Sequence, residues 1–230
     1  MKPLPWSFSS LSDFNNCPKA YYEKRIAKSV VDPPNEAGLW GDYVHREFQK
    51  YLEWEDQPAW DGTPAVLPGN LVQYQPYLES LKRISGRMLV ECKYAIDLAQ
   101  QPCDFFAENV WCRSILDVLV LDGALANIID HKTGKMKPDS RQLKLSALMV
   151  FAHHPEVEVV KTGFAWLKDV QLTKDEFLRD AVTPLWEEFV PDLSTYARAF
   201  AREEFPPRPS GLCHGWCPVT DCEFWKPKRR

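Results

Sequence analysis

The stretch from residue 108 to 132 constrains the fold more than any other. ENVWCRSILDVLVL (108–121) and ALANIIDHK (124–132) are dense in β-branched, aliphatic and aromatic residues, and Asp122-Gly123 stands between them. Such a dipeptide between two strand-like runs is a strong hairpin signal, because glycine takes the positive φ of a tight turn without steric cost. A chain committed to this hairpin has to build a sheet around it. RMLVECKYAIDL (87–98) reads as a preceding strand and EVEVVKTGFAWLK (156–168) as a following one. Between hairpin and last strand, KPDSRQLKLSALMVFAHH (137–154) reads as a helix. Pro138 and Asp139 suit its start, and Leu143, Ala147, Val150 and Phe151 form its apolar stripe.

The flanks are helical in pattern. In SFSSLSDFNNCPKAYYEKRI (7–26), serines suit a cap and Leu11, Phe14, Tyr21 and Tyr22 recur at helical spacing, with Pro18 marking a bend or a new first turn. GLWGDYVHREFQKYLEW (38–54) places Val44, Phe48, Tyr51 and Leu52 on one stripe. Residues 55–69 carry three prolines and two glycines and read as a loop, residues 70–84 as a helix, and residues 173–204 as one or two helices interrupted near Pro184 or Pro191. The order predicts an α/β fold with a mixed central sheet flanked by helices on both faces. The expected organisation is one domain over 1–230, with its core at about 87–168 and helical, cysteine-bearing segments at 1–86 and 169–230.

Within the hairpin, residues two apart on a strand share a face, so Asp130 and Lys132 project together and His131 points away. Pairing about residues 122–123 sets Asp117 opposite position 128, diagonal to Asp130 and on its face. Two carboxylates at that spacing suit a hard divalent cation such as Mg²⁺ or Mn²⁺. Such an ion activates a bound water and offsets charge on a phosphoryl group, and an adjacent lysine can orient or deprotonate that water. The same residues equally suit a strand break at Asp117 and a solvated Asp130–Lys132 pair, and spacing alone does not choose between the two readings.

The resemblance to a known family extends the reading. LD at 116–117 and IIDHKTGK (128–135), with twelve residues between Asp117 and Asp130, together resemble the PD-(D/E)xK nuclease superfamily and, within it, the RecB-like branch. His45 in GDYVHREF, four residues after Gly41, resembles that branch's G-x-x-x-H helix. Gln142 in RQLKLSAL is similar to the Q-x-x-x-Y helix that lines the site. The resemblance implies a Mg²⁺- or Mn²⁺-dependent deoxyribonuclease, an exonuclease acting on single-stranded or frayed DNA ends. It implies Asp117, Asp130 and Lys132 as catalytic residues, His45, Asp117, Asp130 and the main-chain carbonyl of His131 as metal ligands, and Gln142 as a substrate-positioning group. Glu91 resembles an upstream acid of some members, which implies a second metal. Ser114 stands where the family commonly has glycine and Ser146 where it has tyrosine, departures that bear on DNA placement and not on ligation.

Seven cysteines is an odd number for a disulfide framework. Cys92, Cys103 and Cys112 read as core residues or inert thiols, but Cys213, Cys217 and Cys222 crowd into CHGWCPVTDC (213–222), and Cys17 stands apart. Four thiolates from the two chain ends suit a [4Fe–4S] cluster or a tetrahedral Zn²⁺, with His214 keeping a mixed zinc set open. The opening motif at 7–26 resembles RecB-like nucleases of the AddB type and CRISPR-associated exonucleases, in which one early cysteine joins three late ones. That resemblance implies an iron–sulfur cluster in a structural role, although the spacing here departs from the usual C-x2-C-x5-C.

A net charge of −4 and a pI near 5.8 announce no global affinity for nucleic acid. Lys132, Lys135, Lys137, Arg141 and Lys144 do gather around the D-x-K stretch, and the chain ends KPKRR. No run of 18 apolar residues is present and the N-terminus lacks the apolar core of a secretory signal, so the expected location is the cytoplasm, or a host's cytoplasm for a phage protein. The expected partner is DNA, with recombination or CRISPR-adaptation proteins as further partners and no membrane. Two alternatives stay open: a catalytically inactive nuclease-fold scaffold or DNA-binding subunit, and a redox sensor built on the cysteines.

Overall fold

The computed structural model describes residues 4–32, 35–54, 62–136 and 140–227. Lys137, Pro138 and Asp139, part of the 55–69 loop and the last residues of the basic tail lie outside these. The described residues fall into two compact units, Asn35–Thr183 and, separately, Met1–Pro34 with Pro184–Arg230.

The first unit is organised by a six-stranded mixed sheet. Its strands are β1 (Arg87–Ile96), β2 (Pro102–Cys103), β3 (Cys112–Asp122), β4 (Leu125–Lys132), β5 (Val159–Trp166) and β6 (Gln171–Leu178), in the order β2-β1-β3-β4-β5-β6. All neighbours are antiparallel except β4 and β5, which are parallel. Parallel strands need a crossover, and α5 (Arg141–His153) supplies it. The expected stripe of Leu143, Ala147, Val150 and Phe151 is buried, and so are Leu145, Ser146, Leu148 and Met149. A helix buried on so many sides is held by packing rather than by one amphipathic face.

Two further helices, α3 (Glu36–Leu52) and α4 (Gln75–Lys82), pack with Met88, Val90, Val118, Val120 and Ile129 of the sheet. The four stripe residues of α3, Val44, Phe48, Tyr51 and Leu52, are all buried in that cluster. Asn35 caps α3 through its side-chain oxygen, which accepts from the Gly38 N–H at 2.8 Å. The sheet thus carries helices on both faces, as its sequence pattern implies.

Two expectations need correction. The β3–β4 turn is Gly123-Ala124, with Asp122 paired to Leu125 and Gly123 at φ 57°. Pairing therefore runs two residues further than a turn at 122–123 would set it: Val118 faces Ile129, and Asp117 falls opposite Asp130 instead of position 128. A shift of two preserves the face of every side chain, so the parity argument survives it. The second correction is β6, which lies inside a segment whose pattern reads as helix. TKDE (173–176) has weak strand propensity, but eight residues of β6 pair with β5 and most are exposed. Charged side chains are a usual protection for an edge strand, and they hide it from pattern reading.

The second unit contains α1 (Phe8–Asn16), α2 (Pro18–Tyr21), α6 (from Pro184 onward; Val182–Glu187 in all) and α7 (Val190–Arg202). Ser7 and Ser10 form a reciprocal capping box on α1, and Pro18 opens α2 as its first residue. Its core is aromatic: Phe14, Tyr21, Tyr196 and Phe200 meet mostly edge to face, and the Tyr21 and Tyr196 hydroxyls bond at 2.7 Å. Among the described residues no helix is long and apolar enough to cross a membrane.

One glycine sets the entry to β1. Gly86 has φ 121°, and a Cβ there would stand 2.4 Å from the Leu121 carbonyl oxygen. Gly86→Ala should destabilise the protein by about 2–3 kcal/mol, read as a lowered urea midpoint with an unchanged m-value.

Candidate active site

The strand registers bring three carboxylates into one row. Glu91 and Asp117 sit between the Val90–Val118 and Cys92–Leu116 pairs of β1 and β3, and the β3–β4 register, continued one step past Val118–Ile129, sets Asp117 beside Asp130. Glu91 holds a φ of 48°, unusual for a residue other than glycine, and it is the one position skipped between the Val90–Val118 and Cys92–Leu116 pairs. A left-handed residue inside a strand costs about 1–3 kcal/mol and persists where something else fixes it. Here it turns Glu91 toward His45 of α3: His45 Nδ1 stands 3.8 Å from Glu91 Oε1 and 3.4 Å from Asp117 Oδ2. Ligand atoms of His45, Glu91 and Asp117 all lie within 4.8 Å of one another.

The other ring nitrogen of His45 donates to the main-chain carbonyl of His131 at 3.1 Å. Asp117 Oδ2 in turn accepts the backbone N–H of His131 at 2.7 Å. Asp130 belongs to a second, adjoining group. Its carboxylate is 2.7 Å from Lys132 Nζ and accepts from Gln142 Nε2 at 2.5 Å, while Lys132 donates to Gln142 Oε1 at 2.9 Å. Gln142 therefore ties acid and amine together from the first turn of α5, and the Lys132 ammonium sits 5.0 Å above the Phe164 ring.

The electrostatics follow from burying this much negative charge. Burial opposes a charge on His45, but hydrogen bonds with Asp117 and Glu91 outweigh it and raise its pKa to about 10. Burial likewise opposes ionisation of Asp117, and His45 overcomes it, so that pKa is lowered. Asp130 is pushed up to about 7, by burial first and by Asp117 second, against the pull of Lys132. The imidazole of His131 is 2% exposed, and burial lowers its pKa to about 4. Tyr77, on α4, has its hydroxyl pKa raised by burial and then by Asp117 and Asp130.

This donor set fits a divalent cation. Carboxylate and carbonyl oxygens with one imidazole are the ligands Mg²⁺ and Mn²⁺ accept, and a protonated His45 bonds here to the very oxygens such an ion would take. The sequence reading places His45, Asp117, Asp130, His131, Lys132 and Gln142 in this site, and the structure brings all six together. Glu91, expected at a second metal, shares one group with His45 and Asp117. Its signal in the sequence was the likeness to an upstream acid. The open side of the group is a cleft lined by Ala37, Gly38, Gly41, Asp42, Arg46, Gln49 and Thr133. A Cβ on Gly41 would come within 3.3 Å of the Thr133 hydroxyl, so glycine keeps α3 and the loop after β4 close.

The cysteines form a separate centre in the other unit. Cys17, between α1 and α2, lines one cavity with Cys213, Cys217 and Cys222. Cys217 has its thiol pKa raised by burial and by the other three thiols. Backbone N–H groups of Arg208 and Ser210 point at the sulfurs of Cys17 and Cys213, at 3.4 and 3.5 Å. His214 is absent from the cavity lining and pairs through its backbone with Lys226. Cys112 is fully buried, whereas Cys92 and Cys103 are half-buried, and all three have pKa values raised by burial, as inert thiols do.

Comparison with known proteins bears on the first unit and the second alike. The sequence model of the PD-(D/E)XK nuclease superfamily matches residues 5–222. No curated protein matches the chain. Among solved structures, a Eubacterium rectale protein named as a candidate exonuclease superposes with a TM-score of 0.52 at 13% identity, over 95% of this chain and 86% of that one. A protein named SSO0001 gives a TM-score of 0.43 at 14% identity, over 97% and 88%. LHK-Exo, solved in complex with dAMP, gives 0.36 at 13% identity, over 87% and 89%.

The charge on His45 carries a pH dependence. A pKa raised from 6.5 to about 10 contributes stability that is fully present below pH 6.5 and is lost as pH rises through 10. Metal-free protein should therefore lose stability to urea between pH 7 and 10, and His45→Gln should flatten that slope.

Proposed function

The chain belongs to the PD-(D/E)XK nuclease superfamily, and from that premise we propose that it is a Mg²⁺- or Mn²⁺-dependent deoxyribonuclease of the RecB-like branch, an exonuclease on single-stranded or frayed DNA ends. The observation that carries this reading is the row Glu91–Asp117–Asp130 with His45 on one side and Lys132 on the other. The exonuclease assignment draws support from the name of the Eubacterium rectale neighbour, whose fold this chain shares. Residues 1–230 are taken as a single nuclease domain with its core at about 87–168, because the family match runs through both compact units.

In this reading His45, Asp117, Asp130 and the His131 carbonyl hold the cation, with Glu91 as a further acid. When bound, the ion supplies an acidified water and offsets negative charge on the scissile phosphate. The residues do the rest. Lys132, on the same face of β4 as Asp130, orients the attacking water, and it is the neutral amine of this side chain that could take the water's proton. Gln142 fixes the Lys132 amine against Asp130, so that both groups reach the substrate in one geometry. Gly38, Gly41 and Ala37 leave the α3 wall of the cleft low enough for a sugar–phosphate backbone to approach.

The cysteine cavity is read as the seat of a structural [4Fe–4S] cluster. The four cysteines line one cavity, and N–H groups aimed at two of the sulfurs suit cluster thiolates. The cluster would tie the segment after α7 to the start of α2, in a part of the chain with little secondary structure of its own.

Asp130→Asn and Lys132→Ala should each reduce cleavage of end-labelled DNA by at least about 10³-fold while leaving far-UV circular dichroism unchanged, and EDTA should abolish wild-type cleavage. Cleavage that survives both substitutions at wild-type rates would remove the nuclease assignment, and an EDTA-insensitive chain that only binds DNA would mark a scaffold. Anaerobically purified protein should be brown and carry about four irons, and Cys217→Ser should lose them. A colourless, zinc-loaded protein would contradict the cluster.

A further inference from the structure

Beside the carboxylate row, two buried polar atoms lack a hydrogen-bond partner among the described residues: the Tyr77 hydroxyl and Nε2 of His131. An orphaned buried polar group costs about 1–3 kcal/mol, and native proteins rarely tolerate one without a reason. These two are neighbours. Tyr77 meets the His131 ring edge to face, with centroids 5.7 Å apart and planes at 87°. Phe48 closes another side of the same imidazole at 5.1 Å, so the ring is boxed by aromatic side chains, and the two orphaned atoms do not bond each other directly.

The opposite edge of the ring points to the site. His131 Nδ1 lies 3.7 Å from Asp117 Oδ2, the oxygen that also accepts the His131 backbone N–H. With Nδ1–H turned toward that carboxylate, Nε2 is the acceptor, and a phenol is the donor that satisfies it. The alternative tautomer would set a lone pair against a carboxylate oxygen and leave Nε2–H beside a ring.

We propose that Tyr77 and the His131 imidazole are a positioning pair for Asp117, the hydroxyl donating to Nε2 across one water and thereby keeping Nδ1–H turned toward the carboxylate. The pair sets which oxygen of Asp117 faces the cation. The inference rests on the reading of Asp117 as a metal ligand and assigns a role to the His131 side chain distinct from that of its carbonyl. Partners that orient a ligand in this way change metal affinity by about 10–100-fold when removed.

The test is a titration of the protein with Mn²⁺ alone, following free Mn²⁺ by electron paramagnetic resonance, without DNA. Wild type, Asp117→Ala, Tyr77→Phe, His131→Phe and the double variant Tyr77→Phe/His131→Phe are compared. Tyr77→Phe should raise the Mn²⁺ Kd about tenfold and lower the urea midpoint, because it leaves Nε2 without its donor. His131→Phe should do likewise, and the double variant should bind no more weakly than the weaker single one, as expected of two residues acting as one unit. An unchanged Kd in Tyr77→Phe overturns the proposal, above all if its urea midpoint rises, which is the signature of deleting an unsatisfied hydroxyl. Additive losses overturn the pairing. If wild type shows no Mn²⁺ binding that Asp117→Ala abolishes, the metal-site reading itself fails, and the pair loses its role with it. Should His131→Phe not fold, Tyr77→Phe decides alone.

Discussion

Three carboxylates held side by side on neighbouring strands are an electrostatic problem that the rest of the first unit resolves. Opposed strand positions stand ~5 Å apart, and two like charges at that distance repel by about 3 kcal/mol where the effective dielectric is near 20. Asp117 and Asp130 are 9% and 6% exposed, so water relieves little of this. The relief visible in the structure comes from protons and cations drawn inward: a charged His45 between Glu91 and Asp117, and the Lys132 ammonium on Asp130. A pocket that recruits an imidazolium to hold its acids together is one that a divalent ion can occupy by displacing that proton.

The sheet is what makes the arrangement durable. β3 and β4 are joined by a two-residue turn, and β4 and β5 are bound in parallel by a crossover helix whose first turn supplies Gln142. The acids are therefore fixed by ladders and not by loops, while His45 and Tyr77 reach them from helices packed on the sheet. The strained φ of Glu91 is the cost of placing a third acid at the same level. Rigid elements hold these side chains, and a cleft along α3 opens beside them. The four cysteines lie in the other compact unit, around one cavity.

Much of this was legible in the sequence, for identifiable physical reasons. A β-hairpin near Asp122-Gly123, a D-x-K alternation and a helix stripe at Val44, Phe48, Tyr51 and Leu52 are all local signals, and the hairpin, the alternation and the stripe are each present in the structure. The register did not follow, because a turn one residue later moves the pairing by two, and only parity protected the site from that error. β6 escaped because an edge strand carries exposed charges that mimic a polar helix face. Glu91 was legible only as a faint likeness, since its place depends on a left-handed backbone that no side-chain pattern encodes. Tyr77 gave no signal at all, because a tyrosine on an amphipathic helix looks like core until its ring is found against His131 with its hydroxyl unpartnered.

The central claim is that the row of acids is a cation site. Crystals of the protein soaked in Mn²⁺ and measured at a wavelength where manganese scatters anomalously test it most directly. The account predicts an anomalous peak bonded to the carboxylates of Asp117 and Asp130, with His45 turned to offer a ring nitrogen. A peak lying elsewhere, or no peak with His45 still bound between Glu91 and Asp117, would contradict it.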